Sequence, residues 1–348
     1  MDDVMRFYEQ ATKPGGTFAG QLTEEFQAGL RRRFGGARRE DCDFYHTMDF
    51  GGGDVEPGVW DLRGRERSYL GWVDVARQRV LEIGPASGYL TRHMEERGAD
   101  VVAFELTPGV AADIIPQEGH DLEAQKRLSI GYAERVRNSW WYAHTRFGSR
   151  AKALYGDIYR LPEDAGRFDV SVLASVLLHL SRPFEALRET ATRTDRAVVV
   201  TEPVRRIPAD EGRGLMEIAP VDTTKTVVVW WQLTPGAVVR MLRIFGFLEF
   251  AVHYHLQWHH VHHEMDKPPE PALYFTVVGE RHPGWASRLE RTREEEAAES
   301  QVRREWAAPP STAELEAELA GMRSSLSWRL SRPVRVVGTA LRRLGLRS

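Results

Sequence analysis

The sequence has a single cysteine, Cys42. That excludes an intramolecular disulfide and a cysteine metal cluster. It has no run of about 18 apolar residues, so no transmembrane helix is expected. The first ten residues, MDDVMRFYEQ, lack the basic and then apolar layout of a secretory signal. Neither sign of charge dominates: 47 Lys and Arg stand against 50 Asp and Glu, a net charge of −3. No global attraction to nucleic acid follows, although a local basic patch stays open. No internal repeat is present. The rest of the composition, 42% hydrophobic and 28% charged over 348 residues, is that of a globular protein with ample chain for a core. A cytoplasmic enzyme is the expectation.

The chain divides into three stretches. Residues 1–75 mix short helical patterns, carried by Phe7, Phe18, Leu22, Phe26 and Leu30, with breaks at Gly35-Gly36 and Gly51-Gly52-Gly53. This stretch reads as an N-terminal helical cap over a substrate site. Residues 76–282 alternate apolar, β-branched runs with helix-length segments. The runs are Arg79–Ile83, Asp100–Glu105, Ala151–Tyr155, Phe168–Ala174 and Ala197–Thr201. Such alternation predicts βαβ units and a mostly parallel sheet. Leu248–Leu256 and Ala272–Gly279 predict an antiparallel hairpin closing that sheet. Residues 284–348 predict a charged helical tail. Glu290–Arg304 is dense in Glu and Arg, and from Arg323 onward there are seven arginines and no acid.

The segment Val80-Leu81-Glu82-Ile83-Gly84-Pro85-Ala86-Ser87-Gly88 runs from a strand through a glycine-bearing turn toward a helix. Backbone without side chains lets a ligand approach closely, and a helix N-terminus offers N–H donors. The dinucleotide fingerprint G-x-G-x-x-G is absent, because Ala86 occupies its second glycine position. The next strand ends in Glu105, a carboxylate placed to accept from both hydroxyls of a ribose. The third ends at Gly156-Asp157-Ile158, an acid and an apolar residue suited to an adenine. The fourth, Phe168–Ala174, leads through Ser175 into Val176-Leu177-Leu178-His179-Leu180-Ser181-Arg182-Pro183.

In this order, the four features resemble class I S-adenosylmethionine (SAM)-dependent methyltransferases, over residues 57–282. The resemblance implies an α/β fold: a Rossmann-like, seven-stranded, mostly parallel sheet with helices on both faces. It also implies SAM as cofactor. Glu82, Gly84, Ala86 and Gly88 would line the methionine side, Glu105 would bind ribose, and Asp157 with Ile158 would bracket adenine. Ser175 would lie at the active-site end of the fourth strand. The octapeptide Val176–Pro183 also resembles the matching segment of tRNA wobble-uridine carboxymethyltransferases, a similarity too local to carry a substrate.

Methyl transfer to a hydroxyl benefits from a base. His179, after the fourth strand, is the first candidate because imidazole titrates near neutrality. Glu202, after the fifth strand, is the second, as a base, an acceptor-binding acid or a brace for a loop. Trp230, Trp231 and Trp141 offer faces for a sugar or planar acceptor, against the alternative of core packing. The insertion at about residues 108–150 is long enough to form part of a lid. Arg63 is a candidate partner for the SAM carboxylate. His253, His255, Glu264 and Asp266 invite a metal reading, but no ligand spacing such as H-E-x-x-H is present, and no metal is assigned. The segment Ser325–Pro333 resembles C-terminal tails of bacterial glycosyltransferases and surface-polysaccharide enzymes. It implies a glycan or glycosylated small-molecule acceptor. A basic amphipathic end suits an anionic membrane surface, the inner face, or a partner protein. An RNA methyltransferase and a weakly catalytic SAM-fold scaffold are the competing readings. A basic channel would mark the first, and failure to bind SAM the second.

Overall fold

The computed structural model describes residues 2–220, 228–260, 267–284, 289 and 291–307. Met1–Trp306 form one compact unit. The expected basic end from Arg323 onward, with its membrane or partner contact, lies outside the described residues. So do Glu264 and Asp266. No described helix is long and apolar enough to cross a membrane.

Two helices open the chain, α1 (Asp3–Ala11) and α2 (Glu24–Phe34). Each starts at a side-chain cap: Asp2 accepts from the Met5 N–H, and Thr23 from the Phe26 N–H. Short elements follow: β1 (Met48–Asp49), β2 (Val55–Glu56), β3 (Trp60–Asp61) and α3 (Glu66–Tyr69). The α/β core then runs through β4 (Arg79–Ile83), α4 (Tyr89–Glu96), β5 (Asp100–Leu106), α5 (Leu122–Phe147), β6 (Lys152–Gly156), β7 (Phe168–Ala174), α6 (Pro183–Thr192) and β8 (Thr194–Pro203). It continues with β9 (Met216–Ile218), β10 (Trp231–Leu233), α7 (Pro235–Ile244), β11 (Glu249–His259), β12 (Glu270–Glu280) and α8 (Arg293–Trp306).

The main sheet has the order β3-β11-β12-β8-β7-β4-β5-β6. Strands β4 to β8 pair in parallel, while β12, β11 and β3 pair antiparallel. The seven predicted strands are all present, in a Rossmann-like arrangement. Their apolar runs are nearly continuous because both faces are covered. Leu81, Ile83, Val102 and Phe104 pack on one face with α6 and α7. Val80, Val101 and Ala103 pack on the other with α1, α2, α4 and α5. An eighth strand, β3, comes from the stretch expected to be only a cap. It is two residues long, too short to show a period of two, and it pairs with Trp258 and His259.

The opposite edge of the sheet is closed without a strand. The Gln27 side chain donates to the Ala153 carbonyl (2.7 Å) and accepts from its N–H (3.0 Å). Gln21 does the same at Tyr155, at 2.7 and 3.0 Å. Two side-chain amides thus satisfy the outer backbone groups of β6, which would otherwise be an open edge.

The Glu- and Arg-rich segment was expected to belong to a charged helical tail. Instead, α8 docks on β11. Its Glu299, 7% exposed, accepts from Arg291 (2.7 Å), Arg303 (3.0 Å) and the Tyr254 N–H (3.2 Å). Burial would raise the Glu299 pKa, but His253 and the two arginines pull it down to about 2. Composition hid this contact because the buried side chain is itself a charge.

Candidate functional site

The carboxyl ends of β4, β5 and β6 open into a cavity of about 730 Å³. Gly84, Glu105, Asp157 and Ile158 line it together. Gly84 follows β4 with φ +70°, and a Cβ there would meet Val176 at 2.9 Å. Glycine is therefore required by both backbone and space. Gly88 caps α4 at φ +80°, tucked under Trp140. Ala86 takes the left-handed region at φ +47° despite its Cβ. It borders a small crevice with Trp140 rather than the main cavity.

Glu105 ends β5 with one carboxylate oxygen accepting from the Leu106 N–H at 2.7 Å. Burial pushes its pKa up, against the pull of Arg137. Arg137, on α5, is 7% exposed and was not anticipated, since a lone arginine on a long helix carries no local signal. Asp157 turns the chain after β6 by accepting from the Tyr159 N–H at 2.9 Å. The outer wall comes from the loop Thr12–Phe18 between α1 and α2, held by Arg160 donating to the Gly16 carbonyl at 3.1 Å. Only its glycines hinted at a loop, and nothing in them pointed to this cavity.

Glu82, expected on the methionine side, is 2% exposed and does not line the cavity. It accepts from the Thr91 hydroxyl at 2.5 Å, tying β4 to α4, and burial raises its pKa to about 8. Arg63 also lies off the lining: its guanidinium grips both oxygens of Asp61, at 2.8 and 2.6 Å. That pairing takes up the fork that was expected to hold a ligand carboxylate.

Ser175 sits at the end of β7 with φ +56° and is 2.9 Å from the Tyr69 hydroxyl. His179 follows in the turn Leu177–His179. It does not line the cavity, although Val176 and Leu180 on either side do. Its Nδ1 lies 2.5 Å from the Val228 carbonyl. An acceptor there requires Nδ1 to carry the proton, which leaves Nε2 as the free acceptor of a neutral ring. Burial lowers the His179 pKa, against that hydrogen bond.

Glu202, in β8, is fully buried, and its Oε1 accepts from the Leu177 N–H at 2.8 Å. Its Oε2 has no hydrogen-bond partner among the described residues. Burial raises its pKa to about 8, against hydrogen bonds from the backbone of residues 176–178. Glu202 thus lies beneath the turn that carries His179.

The tryptophans pack. Trp141, 1% exposed, stacks on Phe34 and donates to the Tyr155 hydroxyl at 2.8 Å, so it has no free face for an acceptor. Trp230 is 8% exposed, and its N–H donates to the Leu178 carbonyl at 2.8 Å. The Trp231 indole donates to the Leu180 carbonyl at 2.8 Å. Both brace the turn at 177–180 and neither lines the cavity. His253 faces Glu299 at 3.3 Å, and His255 bonds Thr276 and Gln257 at 2.9 Å each. Both His255 nitrogens and His253 Nδ1 thus have protein partners, while His253 Nε2 has none among the described residues. Among the described residues no group of three or more His, Cys, Asp or Glu is placed to hold a metal.

The cavity fits SAM. A ribose diol would satisfy the half-buried Glu105, Ile158 would offer an apolar face for the base, and the glycine turn at Gly84 would admit the sulfur-bearing chain. A family model for a methyltransferase domain matches residues 60–247, which is more than half of the chain. No curated protein is significantly similar to it. Among solved structures, the N-terminal domain of EvdMO1 with SAH bound is 17% identical. That match covers 76% of this chain and 100% of the other, at a TM-score of 0.45. Magnesium protoporphyrin IX methyltransferase from Synechocystis PCC 6803, with bound SAH, is 13% identical, covering 62% and 82% at a TM-score of 0.37. The 1,6-didemethyltoxoflavin-N1-methyltransferase of Burkholderia thailandensis is 16% identical, covering 62% and 73% at a TM-score of 0.37. The chain belongs to the methyltransferase domain family and is a SAM-dependent methyltransferase.

Proposed function

We propose that the enzyme methylates a hydroxyl of a sugar, glycan or glycosylated small molecule. The observation that carries a small acceptor is the charge balance of the cavity wall. Lys13, Arg160 and Arg182 are matched by Glu105, Asp113 and Asp157. A channel for RNA would need an excess of basic groups along a phosphate path. The polysaccharide-type tail motif at Ser325–Pro333 supports a glycosylated acceptor over other small molecules.

When bound, SAM supplies a methyl group on a positively charged sulfur. Glu105 holds the ribose, and Asp157 with Ile158 brackets the base. In this reading His179 is the proton acceptor. The Val228 carbonyl would fix its tautomer, leaving Nε2 to take the proton of the acceptor hydroxyl. Glu202 is a positioning residue that holds the backbone beneath His179. Its value of about 8 leaves it mostly protonated at neutral pH, which suits a brace better than a base.

Labelled SAM incubated with the enzyme and fractionated extract of the source organism tests the reading. Label in a low-molecular-weight, hydroxyl-rich fraction is expected. Label confined to RNA would overturn it, and failure to bind SAM would favour the scaffold.

A further inference from the structure

The cavity is crossed by a set of hydrogen bonds that no motif announces. Asp113, in the insertion between β5 and α5, gathers three donors onto Oδ2. These are the Tyr159 hydroxyl, the Ser181 N–H (2.7 Å) and the Ser181 hydroxyl (2.7 Å). Tyr159 leaves the end of β6, and Ser181 follows the turn after β7. In the sheet order β7-β4-β5-β6, those two strands are separated by β4 and β5. Three strand spacings amount to about 14 Å. A link between the two exits therefore passes in front of Gly84 and Glu105, which end β4 and β5. Arg182 reinforces it: its guanidinium lies 3.8 Å from the centre of the Tyr159 ring, and its backbone N–H donates to the Tyr159 hydroxyl at 3.3 Å. The insertion is anchored behind by the Ala112 N–H, which donates to Ser129 on α5 at 2.9 Å.

We propose that Asp113 is a positioning residue for cofactor retention: it straps the two walls of the cavity together across the mouth, so that SAM enters and leaves through opening of the Asp113–Tyr159–Ser181 clasp. This rests on the SAM reading of the cavity. It follows that the clasp governs the rate of release more than the rate of arrival, because its bonds are made with the walls closed. One carboxylate oxygen serving three donors makes the clasp depend on a single side chain.

Stopped-flow tryptophan fluorescence of the full chain, with SAM chased by excess S-adenosylhomocysteine, measures the release rate directly. Asp113→Ala should release SAM roughly tenfold faster or more, with the association rate little changed. Asp113→Asn keeps an accepting oxygen and should recover part of the effect. Tyr159→Phe and Ser181→Ala each remove part of the clasp and should fall between wild type and Asp113→Ala. Melting of the ligand-free variants separates positioning from folding. A lower melting temperature with an unchanged release rate would overturn the proposal, as would wild-type release from a normally folded Asp113→Ala. Wild-type protein that does not bind SAM would instead overturn the cofactor reading, and the proposal with it.

Discussion

The two halves of the sheet's carboxyl edge are built on different principles. Over β4, β5 and β6 the edge is open: backbone turns at Gly84 and Asp157 leave a cavity lined by Glu105, Asp113 and Asp157. Over β7, β8 and β12 the edge is packed shut. Glu202 is fully buried, while Tyr69 and Tyr274 are 5% and 2% exposed, and Tyr69 bonds Ser175. The first half leaves main-chain turns and acids open to a ligand. The second encloses polar side chains from segments far apart in sequence, and it sets the position of His179. Binding and chemistry should therefore respond separately to mutation.

The sharpest break is expected at His179. Replacing it with Ala should lower turnover by about 10²–10⁴ while SAM affinity holds, and His179→Gln should be nearly as slow. Single-turnover rates on SAM-saturated variants measure this. A near-wild-type rate for the glutamine variant would remove the base assignment. On the open half, Glu105→Ala should weaken SAM binding by about 1–3 kcal/mol, the penalty for losing a charged acceptor. Calorimetry showing unchanged affinity would refute the ribose assignment.

Beyond the site, Gln27→Ala strands the N–H and C=O of Ala153 at a covered edge. A loss of about 1–3 kcal/mol in denaturant unfolding is expected. The smallest effect sharpens the comparison by pH. Glu202 has a folded pKa of about 8, above the ordinary 4.5. The folded state holds the proton more tightly, so this contribution is complete below about pH 4.5 and fades as the pH rises through 8. Glu299, held near 2, acts oppositely: its contribution is present above about 4.5 and fades as the pH falls through 2. Glu202→Gln should therefore flatten the decline in melting temperature between pH 5 and 8. Glu82 and Glu280, also raised to about 8, should preserve part of that decline. An unchanged slope in the variant would mean that Glu202 does not titrate there.

The sequence alone determined the α/β core and the cofactor half of the edge. Buried parallel strands are apolar along their whole length, so Arg79–Ile83 and Phe168–Ala174 were readable to the residue. Gly84, Glu105 and Asp157 were readable because a turn that admits a ligand's backbone approach leaves local marks, a small residue and an acid at a strand end. Tertiary structure alone decided the rest. Arg63 and Glu82 found protein partners, Asp61 and Thr91, that no local pattern could rank against a ligand. Trp141 met Phe34 and Tyr155 from other segments, which made it core. Arg137, Asp113 and the edge-capping Gln21 and Gln27 act across 32 to 134 positions of sequence. A polar side chain's role is set by the partner that desolvates or satisfies it, and only the folded chain brings that partner within reach.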